Sequence, residues 1–256
     1  MARVTHFELP EGKAVYFASD MHFGTPNHQE SAAREKRFVT WLNTIAEDAH
    51  TLYLVGDVFD FWMEYRHVVP KGHIRLFGAL SSLADSGVHI HCFTGNHDMW
   101  MRQYMTEELG ATIHRGPVYH QWNDQTLYIA HGDGLGPGDY GYKILKRIFA
   151  FRPFQWMFRQ LPVDLAFFIA QSWSRGSRKR TGAYDKAPIP LAKEPMFQHA
   201  KSLHRAQPAD FYIFGHRHFP QDVIEDGIHF INLGDWLHYD SWGKLKASRF
   251  ELIANG

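Results

Sequence analysis

A chain of 256 residues, 45% hydrophobic and 21% charged, has the composition of an ordinary globular protein, long enough for one large domain or one domain with a sizeable insertion. Its 27 basic and 27 acidic residues cancel, so no global field selects nucleic acid or a membrane, and any such preference must be local. A single cysteine in an apolar run, Cys92, excludes a disulfide framework, and the opening MARVTHFELPEGK lacks the apolar centre of a signal peptide; together they lead us to expect a reducing, cytosolic compartment.

The first apolar run, AVYFAS (14–19), mixes β-branched and aromatic residues and reads as a buried strand. Helical periodicity follows in ESAAREKRFVTWLNTIAED, where Phe38, Leu42 and Ile45 share a face. TLYLVG (51–56) is a second strand, 72–85 a helix, and VHIHCF (88–93) a third strand. Strand–helix–strand–helix–strand implies right-handed crossovers and a parallel sheet. Next comes TLYIA (126–130); DFYIFG (210–215), IHFINL (228–233) and SRFELI (248–253) then lack intervening helices and imply antiparallel additions. The class is α/β, with a mixed sheet or two packed sheets.

Residues 140–194 break this rhythm. They are helical, aromatic and basic, with nine Lys/Arg against one acid between 142 and 180, and read as an insertion between two core strands. Its nearest approach to a membrane span, LPVDLAFFIA, is far shorter than the roughly 20 residues required and contains Asp164. Basic residues set among Phe and Trp suit an anionic lipid surface, and less well a single-stranded nucleic acid.

Eighteen histidines is well above ordinary usage, so their placement decides what they mean. Asp20-Met21-His22 follows the first strand, Asp57 and Asp60 the second, and Gly95-Asn96-His97-Asp98 the third. His131-Gly132-Asp133 follows 126–130, and His216-Arg217-His218 follows 210–215. A lone histidine at a strand end is usually structural. Five strand ends carrying metal-competent side chains are not background, and the carboxyl ends of parallel strands are where α/β folds build sites.

The residue types fit the chemistry. In D-x-H and H-x-H, alternate residues point the same way and can converge on one ion. Imidazole, carboxylate and amide oxygen together suit Mn²⁺, Fe²⁺ or Zn²⁺. A division into two divalent ions follows: Asp20, His22 and His218 on one, Asn96, His131 and His216 on the other, and Asp57 between them. Asp20 and Asp57 offset only part of the charge of two such ions. The surplus lowers the pKa of a bridging water and attracts a phosphoryl group. Asn96 ligates through a neutral oxygen and preserves that surplus.

DMH, GDVFD, GNHD, HGD and GHRH, in this order, resemble the motif set of the calcineurin-like metallophosphoesterases. The resemblance implies a two-sheet βαβ sandwich flanked by helices, as one domain over residues 1–256 with a helical lid at about 136–194. It also implies that His97 acts near the leaving group, oriented by Asp60, while Asp98 stabilises its loop. HGDGLGPGDYGYK, the LP and SRGSRKR that follow, and LGDW (233–236) further resemble the UDP-2,3-diacylglucosamine hydrolases of lipid A synthesis. Those carry a helical lid over an acyl-chain pocket, and their substrate-contacting positions fall on Asn96, His97, Asp139, Ser177, Thr181, Tyr184 and His216. Thr181 and Tyr184 stand where that family has Asn and Lys, and His97 stands where its better-known members have Arg.

What this second resemblance implies is Mn²⁺-dependent hydrolysis of a diphosphate to UMP and 2,3-diacylglucosamine 1-phosphate. The implied partners are an acylated sugar nucleotide and the anionic cytoplasmic face of the inner membrane. The His97 departure keeps open a related metallophosphoesterase acting on nucleotides, nucleic acid or another lipid diphosphate. A non-catalytic scaffold on this fold is the remaining reading, and the complete ligand set argues against it.

Overall fold

The computed structural model describes residues 2–181 and 189–255. Its strands form two six-stranded sheets. One is built around β2 (Ala14–Ala18), β3 (Ala49–Val55), β4 (His89–Phe93) and β5 (Thr112–His114), all parallel. The helices α1 (His28–Ile45) and α2 (Ile74–Asp85) make the crossovers. The strand β11 (Trp242–Lys246) joins β2 antiparallel, and β12 (Arg249–Ile253) closes that edge.

The other sheet runs β1 (Val4–Phe7), β6 (Val118–Trp122), β7 (Gln125–Ala130), β8 (Phe211–Phe214), β10 (Ile228–Asn232), β9 (Gln221–Glu225). The antiparallel addition after 210–215 is expected of 228–233, but the antiparallel strand is β9, which is not among the strands expected from sequence. It turns back along β10, which thereby lies parallel to β8 instead of antiparallel. The physical reason is the edge: β9 takes the outer position and β10 fills the gap, so two reversals restore the direction.

Alternation along the strands sorts the core into layers. Val15, Phe17, Tyr53, Val55 and Phe93 meet Leu127, Ile129, Ile213 and Ile231 between the sheets. The intervening residues Tyr16, Ala18, Leu52, Leu54 and Ile90 pack outward on Phe38, Leu42, Leu76 and Leu80 of α1 and α2. On the far side Tyr128, Tyr212, Phe214 and Phe230 cover Met196, Phe197 and Ala200 of α7 (Pro195–Ala206). The order of layers is helix, sheet, sheet, helix.

Between β7 and β8 lie α4 (Tyr140–Ala150), α5 (Arg152–Phe158) and α6 (Val163–Thr181), followed by a short 3-10 turn at Leu191–Lys193 and α7. The helix α3 (Tyr104–Leu109) leads into β5. Neither α4 nor α5 buries a residue. Among the described residues no helix is long and apolar enough to cross a membrane.

Candidate metal centre

The side chains singled out in sequence sit on the loops that leave β2, β3, β4, β7 and β8, strands whose carboxyl ends all open to one edge of the sandwich. Met21 is fully buried in the outer core, which turns Asp20 and His22 together toward the loop after β3. Backbone bonds pin the two loops: His22 N–H to Asp57 O at 2.9 Å, and Phe23 N–H to Val58 O at 2.9 Å. The Arg34 guanidinium donates to His22 O at 2.7 Å and holds the turn from behind.

Asp20, His22, Asp57 and His216 all have positive φ, at 55°, 46°, 50° and 67°. The left-handed region is unfavourable for residues with a Cβ, and its clustering at loops that converge marks a functional centre. Two glycines make the convergence sterically possible. A Cβ on Gly95 would collide with the Asp57 carboxylate and stand 2.6 Å from Asp57 N. One on Gly215 would collide with Ser19 Oγ and stand 2.8 Å from Asp20 Oδ2.

Each buried carboxylate is held by one oxygen and offers the other. Asp20 Oδ2 accepts from His216 N–H at 2.8 Å, and Asp57 Oδ1 from His97 N–H at 2.8 Å. The imidazoles are oriented in the same manner. His131 Nδ1 donates to Val55 O at 2.9 Å and His218 Nδ1 to Asp235 Oδ2 at 2.8 Å, so both present Nε2 as a lone-pair ligand. Asp57 Oδ2 then lies 3.7 Å from His22 Nε2 and 3.4 Å from His131 Nε2, between the two sides. Asn96 Oδ1 is 3.3 Å from His131 Nε2.

Among the described residues three groups bring their ligand atoms within 4.8 Å of one another: Asp20–His22–His218, Asp57–His131–His216 and His22–Asp60–His97. Ligand atoms around 2.0–2.2 Å from a first-row cation stand about 3–4 Å apart, which is the spacing found. Asp20 Oδ1, His22 Nδ1 and His22 Nε2 are buried without a hydrogen-bond partner. Leaving such atoms unmatched costs ~1–3 kcal/mol each, and a cation bound by this donor set would match them. The field agrees. Burial disfavours a charged imidazole, yet Asp20, Asp60 and Asp57 raise His22 to about 10, and Asp57, Asp20 and Asp133 raise His131 to about 10. Burial would lift Asp57, but His131, His97 and His22 hold it well below the carboxylate range.

His97 is 12% exposed, at the rim. Its Nδ1 donates to the backbone oxygen of Asp60 at 3.0 Å, with the Asp60 carboxylate at 3.7 Å, so the orientation comes chiefly through the main chain. Burial lowers its pKa despite Asp57. Asp98 accepts from Gly95 N–H at 2.7 Å and Val58 N–H at 2.8 Å, and burial beside Asp57 raises it to about 7.

Of the substrate-contacting positions implied by resemblance, His97 and His216 belong to these groups and Asn96 lies beside His131. Asp139 is exposed at the start of α4, with φ 49° and no cap bond. Ser177 and Thr181 lie on α6, and Tyr184 lies outside the described residues. Two contributors had no role assigned from sequence. Asp235 of LGDW accepts from His218 and from His238 Nδ1, each at 2.8 Å, and the aspartate ending an apolar strand was the available signal. Asp133 of HGD is buried, accepts from Tyr142 Oη at 2.5 Å and pairs with Lys146 at 2.6 Å, tying α4 to the His131 loop.

The description "Calcineurin-like phosphoesterase" belongs to the family model that matches residues 13–220. The chain is 35% identical over 241 residues to a UDP-2,3-diacylglucosamine hydrolase of Porphyromonas gingivalis, covering 89% of this chain and 92% of the relative. Proteins of the same name from Aeromonas salmonicida and Tolumonas auensis are 29% and 30% identical over 237 and 226 residues. Those matches cover 89% and 86% of this chain, and 88% of each relative. The span matched by the family model opens one residue before β2 and closes just beyond His218, taking in every strand end described above: the chain belongs to the calcineurin-like phosphoesterase family and is a metal-dependent hydrolase.

Proposed function

We propose that the chain hydrolyses the diphosphate of UDP-2,3-diacylglucosamine to UMP and 2,3-diacylglucosamine 1-phosphate. Two divalent ions, Mn²⁺ by preference, would be held by Asp20, His22 and His218 and by Asn96, His131 and His216, with Asp57 available to both. The cations would supply Lewis acidity, which neutralises phosphoryl charge and activates water near neutral pH. The protein's own part is orientation: Asp60 O accepts from His97 Nδ1, which leaves Nε2 to carry the second proton of the imidazolium to the departing group.

The observation that carries the substrate is the way an apolar insertion is fastened to these loops. Lys146 and Tyr142 reach Asp133, and Trp100 Nε1, four residues beyond Asn96, donates to Phe149 O at 2.8 Å. The same insertion exposes Tyr140 (73%), Trp156 (64%) and Phe168 (65%). Reactive loops beside uncovered apolar surface suit a molecule with a diphosphate at one end and acyl chains at the other. The relatives' shared name supports the same choice. Lys143, Arg147, Arg152 and Arg159 among those aromatics favour work at the anionic cytoplasmic face of the inner membrane, with the insertion of about 136–194 acting as a lid on a single domain.

Incubation of Mn²⁺-loaded protein with UDP-2,3-diacylglucosamine should release UMP and the acylated sugar 1-phosphate in equal amounts. No release, from protein that still cleaves a small aryl phosphodiester, would exclude this substrate. A second reading, a phosphoester with an alkoxide leaving group, is favoured by His97, a proton donor at the rim.

A further inference from the structure

Among the described side chains of the three insertion helices, only Ala166 and Ser174 are buried, at 0% and 5% exposure. A methyl group there is ordinary packing. A hydroxyl needs a partner, and Ser174 has partners in the metal centre. Its Oγ lies 3.1 Å from each carboxylate oxygen of Asp60 and 3.3 Å from His97 Nδ1. The proton on Nδ1 is already fixed, because the main-chain oxygen of Asp60 can only accept. The hydroxyl must therefore give its hydrogen to the carboxylate and turn a lone pair to Nδ1–H, which makes the His97 bond bifurcated. The same carboxylate faces His22 Nδ1 at 3.7 Å, so one oxygen on α6 sits behind two imidazoles of the core.

We propose that Ser174 is a positioning residue: acting through Asp60, it holds His97 in the tautomer and ring orientation used at the leaving group, so this pair is completed only when α6 is docked. The proposal rests on the role given above to His97. It makes the insertion part of the reaction machinery as well as a cover for substrate.

The test uses full-length protein and two readouts that need no sugar nucleotide. With Mn²⁺ and a small aryl phosphodiester, Ser174→Ala should lower kcat about 10- to 100-fold, as loss of a hydrogen bond to a charged group would, with KM little changed. Ser174→Thr should restore most of it. In Zn²⁺-loaded protein carrying ¹⁵N-histidine, the His97 resonances should show Nδ1 protonated in the wild type and in Ser174→Thr, and a mixture of tautomers in Ser174→Ala. Ala166→Gly loosens the packing of α6 without touching Asp60, and should leave the His97 resonances in place. Unchanged kcat and resonances in Ser174→Ala would overturn the proposal, as would equal losses and equal spectral change in Ala166→Gly. Failure to cleave UDP-2,3-diacylglucosamine, with these results intact, would remove the substrate reading and leave Ser174 its role.

Discussion

Asp57 Oδ2 lies within 3.7 Å of imidazole nitrogens on both sides of the centre, and its other oxygen is committed to His97 N–H. Asp57→Ala should therefore empty both ligand groups at once, and elemental analysis that still finds two ions per chain would refute the shared role. Asp235 acts at one remove: replacing it with Asn removes the carboxylate that fixes His218 and should weaken metal binding about 10- to 100-fold by calorimetry, with the fold intact. At position 97 the two leaving groups separate. His97→Arg supplies a permanent charge beside a departing phosphate and should keep substantial turnover of UDP-2,3-diacylglucosamine. A fall of ~10²–10⁴-fold would instead mean that a proton is required, since guanidinium cannot give one up. The candidate ligands were legible in sequence because each follows an apolar run that could only be a strand. Ser174 and Asp235 were not legible as partners, because they meet His97 and His218 across 77 and 17 residues and no local pattern encodes such meetings.

Among elements, the insertion is the most asymmetric. On α4, Tyr140, Ile144 and Ile148 recur every four residues and are all exposed, with Lys143 and Arg147 alongside. Each large apolar side chain removed from water contributes ~1.5–3 kcal/mol. The double variant Trp156→Ser, Phe168→Ser should therefore bind anionic vesicles at least ~10-fold less well in sedimentation, while its cleavage of a small soluble diester is unchanged. Equal vesicle binding would show that these helices do not meet lipid. The buried strands were readable because both faces are apolar, as in β2, where all five residues are buried. The edges were not. In β9 only Gln221 and Val223 are even partly buried, and β11 alternates Lys244 and Lys246 with Gly243 and Leu245, so neither forms a continuous apolar run. The pairing of β10 beside β8 depended on β9 and was lost with it.

At the scale of the whole molecule, the two sheets meet over a second concentration of histidine, outside the groups of candidate ligands. His91 on β4 and His114 on β5 share a bond of 2.9 Å, and His120 on β6 of the other sheet bonds Tyr53 Oη at 2.7 Å. The three rings lie 5.1–5.4 Å apart. Burial lowers His91 to about 3 and His114 and His120 to about 4. In the unfolded chain they titrate near 6.5, so unfolding takes up protons as pH drops below that value. Their contribution is complete above about 6.5 and declines as pH falls toward 4, before most carboxylates protonate. Denaturant unfolding of the metal-loaded protein between pH 7.5 and 4.5 should show this decline. His120→Gln keeps a bond to Tyr53 without a titrating group and should flatten it; an identical slope in the variant would place the sensitivity elsewhere. Here sequence could report only an excess of histidine. Which of them line the seam depends on the register of β5 and β6, short strands joined by a turn with no apolar run to mark them.

The left-handed backbone at Asp20, His22, Asp57 and His216 sets selection for heat tolerance against selection for turnover. Each position stores ~1–3 kcal/mol that glycine would release, and glycine would also relieve the crowding of carboxylates. A directed-evolution campaign scored only on melting temperature, in chelator, should therefore collect substitutions at these four positions and return sturdy, inert proteins. Scoring heat-treated variants on residual turnover would keep them fixed and push the gains into the helical layers.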